Sequence, residues 1–294
     1  MKRPVVCGVD LWPGSEDVAR LAVALADELD RPLSVVHVRH GAGRGAGPTL
    51  GQVRELRRLG TLVQRLGGAG RSATALRAGE PSEERLAAAG ERDAELLVVG
   101  SRGLGEIGCV LLGSVSSELM RAAPCPVVVV PPGSAVPVSG IRSVVVGVDG
   151  GERDVPLLRL AADLGRRLHA AVHAVHSFQV QPGAYGAGAM APPLTEELRE
   201  AADERLHRAV DEAGVRARES VVERAAADAL VFAAEQDGAG LIAVASQGHG
   251  KLHSILHGSV TVRLAAQAPV PVLVLPTEAE LDAGSGHYEL PEAA

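Results

Sequence analysis

"VVGSRGLGEIGCVLLGSVSSEL", residues 98–119, holds two glycine patterns that compete for one stretch. Gly103, Gly105 and Gly108 spell G-x-G-x-x-G, the dinucleotide-binding fingerprint. In another frame, Gly100, Gly103 and the pair Gly113-Ser114 spell G-x2-G-x9-G-S. The chain contains 35 glycines, so density alone does not choose between the frames.

Internal repetition does choose. "LLVVGSRGLGEIGCVLLGSVSSELMRAAPCPVVVVPP" (96–132) returns as "LIAVASQGHGKLHSILHGSVTVRLAAQAPVPVLVLPT" (241–277), an offset of 145. "VVCGVD" (5–10) returns as "VVVGVD" (144–149), and Asp10 and His37 return as Asp149 and His176, an offset of 139. The extra residues fall in the loop "VQPGAYGAGAMAPP" (180–193). In the second copy His253 stands where the third fingerprint glycine belongs. The fingerprint also requires the first strand-to-helix turn and an acidic residue about 20 positions on. Here it follows the fourth strand-like run and leads to "VVVVPP". The longer frame returns as Ala245-x2-Gly248-x9-Gly258-Ser259, with three of four positions kept. "ASQGHGKL" (245–252) is a further near-miss, a P-loop without its first Gly or its magnesium-binding hydroxyl.

Both copies show the same order of elements. Apolar, β-branched runs at 4–10, 33–39, 72–79, 95–101 and 127–132 read as strands, and amphipathic runs at 15–29, 49–66, 82–92 and 114–123 as helices. The second copy has strands near 143–149, 170–178, 219–225, 240–246 and 270–276, with helices near 154–168, 195–213, 227–237 and 259–267. Apolar strands alternating with helices give parallel sheets covered on both faces. The fold class is therefore α/β, with two tandem open doubly wound domains, each a five-stranded parallel sheet. Domain 1 covers 1–134, domain 2 covers 141–277, and "PPGSAVPVSG" (131–140) links them. Residues 278–294 read as an acidic, disordered tail.

Composition narrows the function. The net charge is −7, and two Phe, two Tyr and one Trp leave little surface for base stacking, which argues against nucleic acid. Residues 1–134 carry 16 basic against 15 acidic side chains, and residues 135–294 carry 13 against 21. Cys7, Cys109 and Cys125 fit neither a disulfide framework nor a zinc site. No apolar run is long enough to span a membrane, and no secretory h-region opens the chain, so a cytoplasmic protein is expected. No metal site and no catalytic set emerges from the motifs.

The glycine frame has a physical reading. Gly103 lets backbone approach a ligand, and Gly113-Ser114 opens a helix whose free N–H groups favour an anion. Ser114 and Ser116 add hydroxyls, matched by Ser259 and Thr261. A plain helix cap explains Gly113-Ser114 equally well when the pair is taken alone.

In this order, "GVD" (8–10), "VHV" (36–38), "AGEP" (78–81), G-x2-G-x9-G-S and "APCPVVVVP" (123–131) resemble the universal stress protein family in tandem form. The resemblance implies a Rossmann-like, adenine-nucleotide α-hydrolase-like fold that binds ATP, with or without Mg2+, and is usually dimeric through its last strand. It places adenine near Asp10 and Val38, ribose and phosphates along Gly100 and Gly103, and the phosphate end at Gly113, Ser114, Val115 and Ser116. A second nucleotide site would comprise Asp149, Ala245, Gly248, Lys251, Gly258, Ser259, Val260 and Thr261, with His249, His253 and His257 nearby. Ala245 for glycine, Ser177 for valine and the loss of Gly-Glu-Pro weaken that second site. The expected function is an ATP-binding, non-enzymatic regulator of the bacterial stress response. The alternatives are a slow ATPase, another enzyme of the same fold, or a nucleotide-free structural adaptor. The apolar last strands can pair within the chain as a pseudo-dimer or between chains as a homodimer.

Overall fold

The structure is a computed structural model that describes residues 2–11, 15–39, 49–68, 70–101, 112–137, 139–179, 192–246, 259–277 and 279. The first half runs β1 (Val5–Gly8), α1 (Ser15–Glu28), β2 (Leu33–Arg39), α2 (Leu50–Arg65), β3 (Ser72–Ala78), α3 (Pro81–Glu91), β4 (Leu96–Gly100), α4 (Ser114–Ala122), β5 (Val127–Val130). The second repeats it: β6 (Ser143–Val148), α5 (Asp154–Leu168), β7 (Ala171–Phe178), α6 (Pro192–Ala213), β8 (Arg218–Glu223), α7 (Ala226–Asp237), β9 (Leu241–Ala245), α8 (Ser259–Gln267), β10 (Val272–Leu275). Each expected strand and helix is present; β2 and β7 end where their apolar runs do, and the other strands end a residue or two earlier. Val9 still donates to the Val36 carbonyl at 3.0 Å, but Asp10 has left the ladder. Helix α6 starts at Pro192, ahead of the expected 195, because proline is tolerated in a first helical turn where its missing N–H has no partner to lose.

The two five-stranded sheets are not separate. The strand order is β3-β2-β1-β4-β5-β10-β9-β6-β7-β8, one ten-stranded sheet. Pairing is parallel within each half and antiparallel where β5 meets β10. The register is Val127↔Val274, Val128↔Leu273 and Val129↔Val272. Under the 145-residue offset Val128 corresponds to Leu273, so a pseudo-two-fold axis passes through that pair. Both residues are buried.

Because the axis keeps each face of the sheet on its own side, the core is organised by face and not by half. One cluster joins α1 and α2 of the first half to α5 and α6 of the second through Leu21, Leu59, Leu157 and Leu206. The other joins α3 and α4 to α7 and α8 through Ala88, Met120, Leu230 and Leu264. The linker reinforces the seam, with Ala135 N–H donating to the Pro269 carbonyl at 2.8 Å. Glu95 accepts from Arg31 of the first half and Arg167 of the second, and is itself largely buried.

Two repeated histidines pin the ends of the central strands. His37 Nδ1–H donates to the Val9 carbonyl at 2.9 Å, and His176 Nδ1–H to the Val148 carbonyl at 2.7 Å. Each is buried and locks the backbone next to Asp10 or Asp149. Cys7 and Cys125 lie inside the core, where burial pushes both thiols up to about 12.

Leu273→Ala removes a fully buried side chain on the pseudo-axis. Urea unfolding should show a loss of about 2–5 kcal/mol, against about 0.5 kcal/mol or less for Leu50→Ala on the exposed face of α2.

Candidate functional site

Strands β1 and β4 are neighbours whose following helices, α1 and α4, leave on opposite faces of the sheet. A crevice therefore opens beyond their carboxyl ends, the switch point where open α/β sheets bind ligands. Asp10 follows β1 there, and Gly100 closes β4. Val38 lies near the end of β2, buried in the α3/α4-face core. Gly113 is the N-cap of α4, with φ −65° and ψ 148°, and Ser114 begins the helix exposed to solvent. Val115 packs partly against the same core. Gly103 and the rest of 102–111 lie outside the described residues.

The hydroxyl of Ser116 has a different task from the one its position suggests. It donates to the Gly100 carbonyl at 2.9 Å, tying the start of α4 to the end of β4. Thr261 repeats the bond to the Ala245 carbonyl at 2.8 Å. The main chain of α4's first turn thus carries the anion-binding capacity, through N–H groups that no helical carbonyl can reach.

Alternation along β1 sends Val6, Gly8 and Asp10 to the α3/α4 face. Helix α3 places Arg85 there, with a side chain only 7% exposed. Its Nη2 donates to Asp10 Oδ1 at 2.6 Å. The guanidinium stem lies directly on Gly8: a Cβ at that position would stand 2.8 Å from Arg85 Nε. Arg85 Nε is buried without a hydrogen-bond partner, and so is Ser101 Oγ, just after β4. Sequence reading missed Arg85. The available signal was a charged residue facing Leu230 at the 145 offset, inside an otherwise apolar register.

The second half is built differently at each of these points. Leu230 occupies Arg85's place, with Cδ1 2.9 Å from a Cβ built on Gly147, the counterpart of Gly8. Ser246, the counterpart of Ser101, is hydrogen-bonded to Thr277 Oγ1 at 2.9 Å, where the first half has Pro132. Asp149 Oδ1 accepts from the Gly151 N–H at 2.9 Å. Buried Asp154 reaches back to accept from the N–H groups of Asp149, Gly150 and Gly151 at 3.3, 2.7 and 3.0 Å. The turn after β6 therefore holds an internal carboxylate, where the first half has Ser15 at the matching position. Burial and then the Asp149 charge push the Asp154 carboxyl from 3.8 to about 6, against the pull of the three N–H donors.

Ala245 is less disruptive than its methyl suggests. It sits in β9 opposite Leu275, and its side chain packs into the α5/α6-face core, away from α8. Ser259 and Val260 open α8, and Val260 packs on the α7/α8 face. Gly248, His249, Lys251, His253, His257 and Gly258 lie outside the described residues.

One further polar cluster was not legible from motifs. His173 on β7 has Nδ1 2.7 Å from Asp237 Oδ2 and Nε2 2.6 Å from Ser220 Oγ on the edge strand β8. Arg218 joins it, donating to Asp237 at 2.6 Å and lying 2.8 Å from His173 Nδ1. Burial pushes the His173 pKa down, with Asp237 opposing. This cluster stands near the amino ends of the strands, at the opposite end of the sheet from the crevice, and ties β8 to α7. Among the described residues no group of three or more His, Cys, Asp or Glu is placed to hold a metal ion. No described helix is long and apolar enough to cross a membrane.

Comparison with known proteins follows the repeat. The model of the universal stress protein family matches residues 1–131 and again 140–276. A universal stress protein of Mycobacterium tuberculosis is 34% identical over 185 residues, covering 62% of each chain. The first curated relatives are thus matched over less than two thirds of their length. A universal stress protein from Archaeoglobus fulgidus superposes over 93% of this chain and 96% of its own, with TM-score 0.63 and 19% identity, a likeness of fold. Another structure from that organism, covering 45% of this chain and 96% of its own at 24% identity and TM-score 0.31, was solved in complex with dAMP.

Two predictions test the asymmetry. Asp10→Ala strands a buried guanidinium and should cost about 3 kcal/mol in chemical denaturation. Arg85→Leu should be neutral or stabilising, because Leu230 already fills the equivalent niche, and it should rescue most of the loss in the double variant. The raised Asp154 pKa means the native state holds a proton that the unfolded chain releases. Its contribution is greatest below 3.8 and is lost as pH rises through about 6. Relative to Asp154→Asn, the wild-type chain should gain stability on acidification across that window, as read by urea titrations at several pH values.

Proposed function

The chain belongs to the universal stress protein family, and from that premise we propose that its first half is an adenine-nucleotide site that serves regulation, not catalysis. The observation that carries this reading is the difference between the halves. Beside the first-half crevice, Arg85 Nε and Ser101 Oγ are buried and unpartnered. At the same places the second half has Leu230 and a satisfied Ser246. Buried polar groups are normally bonded, so polar atoms left open beside a crevice fit a ligand that completes them.

In this reading ATP lies with its base against Asp10 and Val38, its ribose along Gly100 and Gly103, and its phosphates on the main chain of Gly113, Ser114 and Val115. The N-terminus of α4 supplies oriented N–H groups and the positive end of the helix dipole. Mg2+ comes with the phosphates and their waters, because the nearby carboxylate, Asp10, is already bound by Arg85. The same ion pair leaves no described carboxylate free as a general base beside the phosphates, which favours occupancy over turnover. Nucleotide occupancy then biases a conformation or a partner surface. In the second half the Asp154 carboxylate fills the turn after β6, and the site binds weakly or not at all. The domains 1–134 and 141–277 act as one unit in the cytoplasm.

The test uses the intact chain, since both cores are shared between halves. Titration calorimetry should give close to one ATP per chain. Ser114→Glu puts a carboxylate where the helix dipole tolerates it but phosphate does not, and should weaken ATP at least tenfold while preserving the melting temperature. Ser259→Glu, its counterpart in α8, should leave the affinity unchanged. The reading fails if the wild-type chain binds no adenine nucleotide, or if only the α8 substitution matters.

A further inference from the structure

Arg85 is a charged side chain that the fold does not require. The niche over β1 accepts an apolar residue, because Leu230 fills its counterpart over Gly147 in the same chain. Burying an ion pair in place of a hydrophobic side chain rarely adds stability, and Arg85 also leaves Nε without a partner. Gly8 must stay without a Cβ to let the guanidinium lie there. Gly147 is held to the same limit by Leu230, so the costs absent from the repeat are the ion pair and the unpartnered Nε, and these two call for a ligand.

We propose that Arg85 is a specificity-determining residue of the first-half site, reading the base together with Asp10; this rests on the adenine-nucleotide reading above. The pair offers a carboxylate acceptor and a guanidinium donor side by side. Nη2 is tied to Asp10 Oδ1 at 2.6 Å, while Nε–H, on the same edge of the guanidinium, has no acceptor. The Asp10 side chain remains 24% exposed. An acceptor beside a donor matches the N6/N7 edge of adenine, whose amino group donates and whose ring N7 accepts. On that edge guanine and hypoxanthine present two acceptors, O6 and N7, so O6 would face the carboxylate. A free arginine favours guanine by taking O6 and N7 together; an arginine with one arm held by Asp10 cannot. The ion pair thus makes Arg85 an aid to adenine selection, and it holds the Asp10 carboxylate in the orientation that the amino group needs. The second half, with Leu230, has no such pair.

The probes are ATP and inosine triphosphate, which carry the same sugar and phosphates and differ at the base. Calorimetry on the intact wild-type chain should show ATP binding at least tenfold tighter than inosine triphosphate. Arg85→Leu should weaken ATP by about tenfold and bring the two affinities within about threefold, a change of ratio that a merely structural residue would not cause. If Arg85→Leu does not fold cooperatively, Arg85→Lys replaces it. That variant keeps the charge but loses the planar fork, and the ratio should again collapse. An unchanged ratio in the folded variant overturns the role of Arg85 while leaving the nucleotide site standing. A wild-type chain that binds neither nucleotide overturns the site itself.

Discussion

The antiparallel contact between β5 and β10 is the constraint on which the rest of the molecule depends. Each strand is an edge of an open five-stranded sheet, and each is made of fully buried aliphatic side chains. Unpaired, either would present a ladder of free N–H and C=O groups beside an apolar surface. Paired in the register centred on Val128 and Leu273, they remove both edges at once. The pseudo-axis at that pair also explains why the two hydrophobic clusters each cross from one half to the other. A parallel junction would have turned one half over and set α1 and α2 on the same face as α7 and α8. The chain is therefore a repeat in sequence and a single cooperative body in its packing.

Within this frame the two halves have diverged where the fold least resists it. The central strands, the histidine pins and the hydroxyl that ties the fourth helix of each half to its preceding strand are duplicated atom for atom in role. The differences cluster around the carboxyl ends of the first and fourth strands of each half. One half buries an ion pair and leaves polar atoms open; the other fills the niche with leucine, bonds its serine and closes its turn with Asp154. The first arrangement leaves Arg85 Nε and Ser101 Oγ buried without partners, and the second has Leu230 and a bonded Ser246 at the same places. Because both cores are shared, neither half can be lost without exposing the other.

Much of this was legible before any coordinates. The repeat and the strand and helix order follow from periodicity and from recurrence at an offset that steps once, from 139 to 145. The helices matched because amphipathic runs and their end signals are local. What escaped was non-local. Arg85 reads as one more surface charge in "SEERL", and only packing puts it across Gly8 against Asp10. Ala245 drew attention as the changed motif position, yet its methyl faces the α5/α6 core. Asp154 is an acid in the first turn of α5, and only the fold turns its carboxylate back onto the turn before it. Ser220, His173 and Asp237 are spread over more than sixty positions and share no motif.

Sequence alone determined the number of repeats and the α/β alternation, because each depends on near neighbours and on a pattern that recurs. Tertiary structure decided that the two sheets are one, that both cores are held in common, and that the halves differ through Arg85, Leu230 and Asp154. Those outcomes depend on which side chains meet across the sheet. Residues 75 apart in the chain, such as Asp10 and Arg85, meet at 2.6 Å only after the helices have packed.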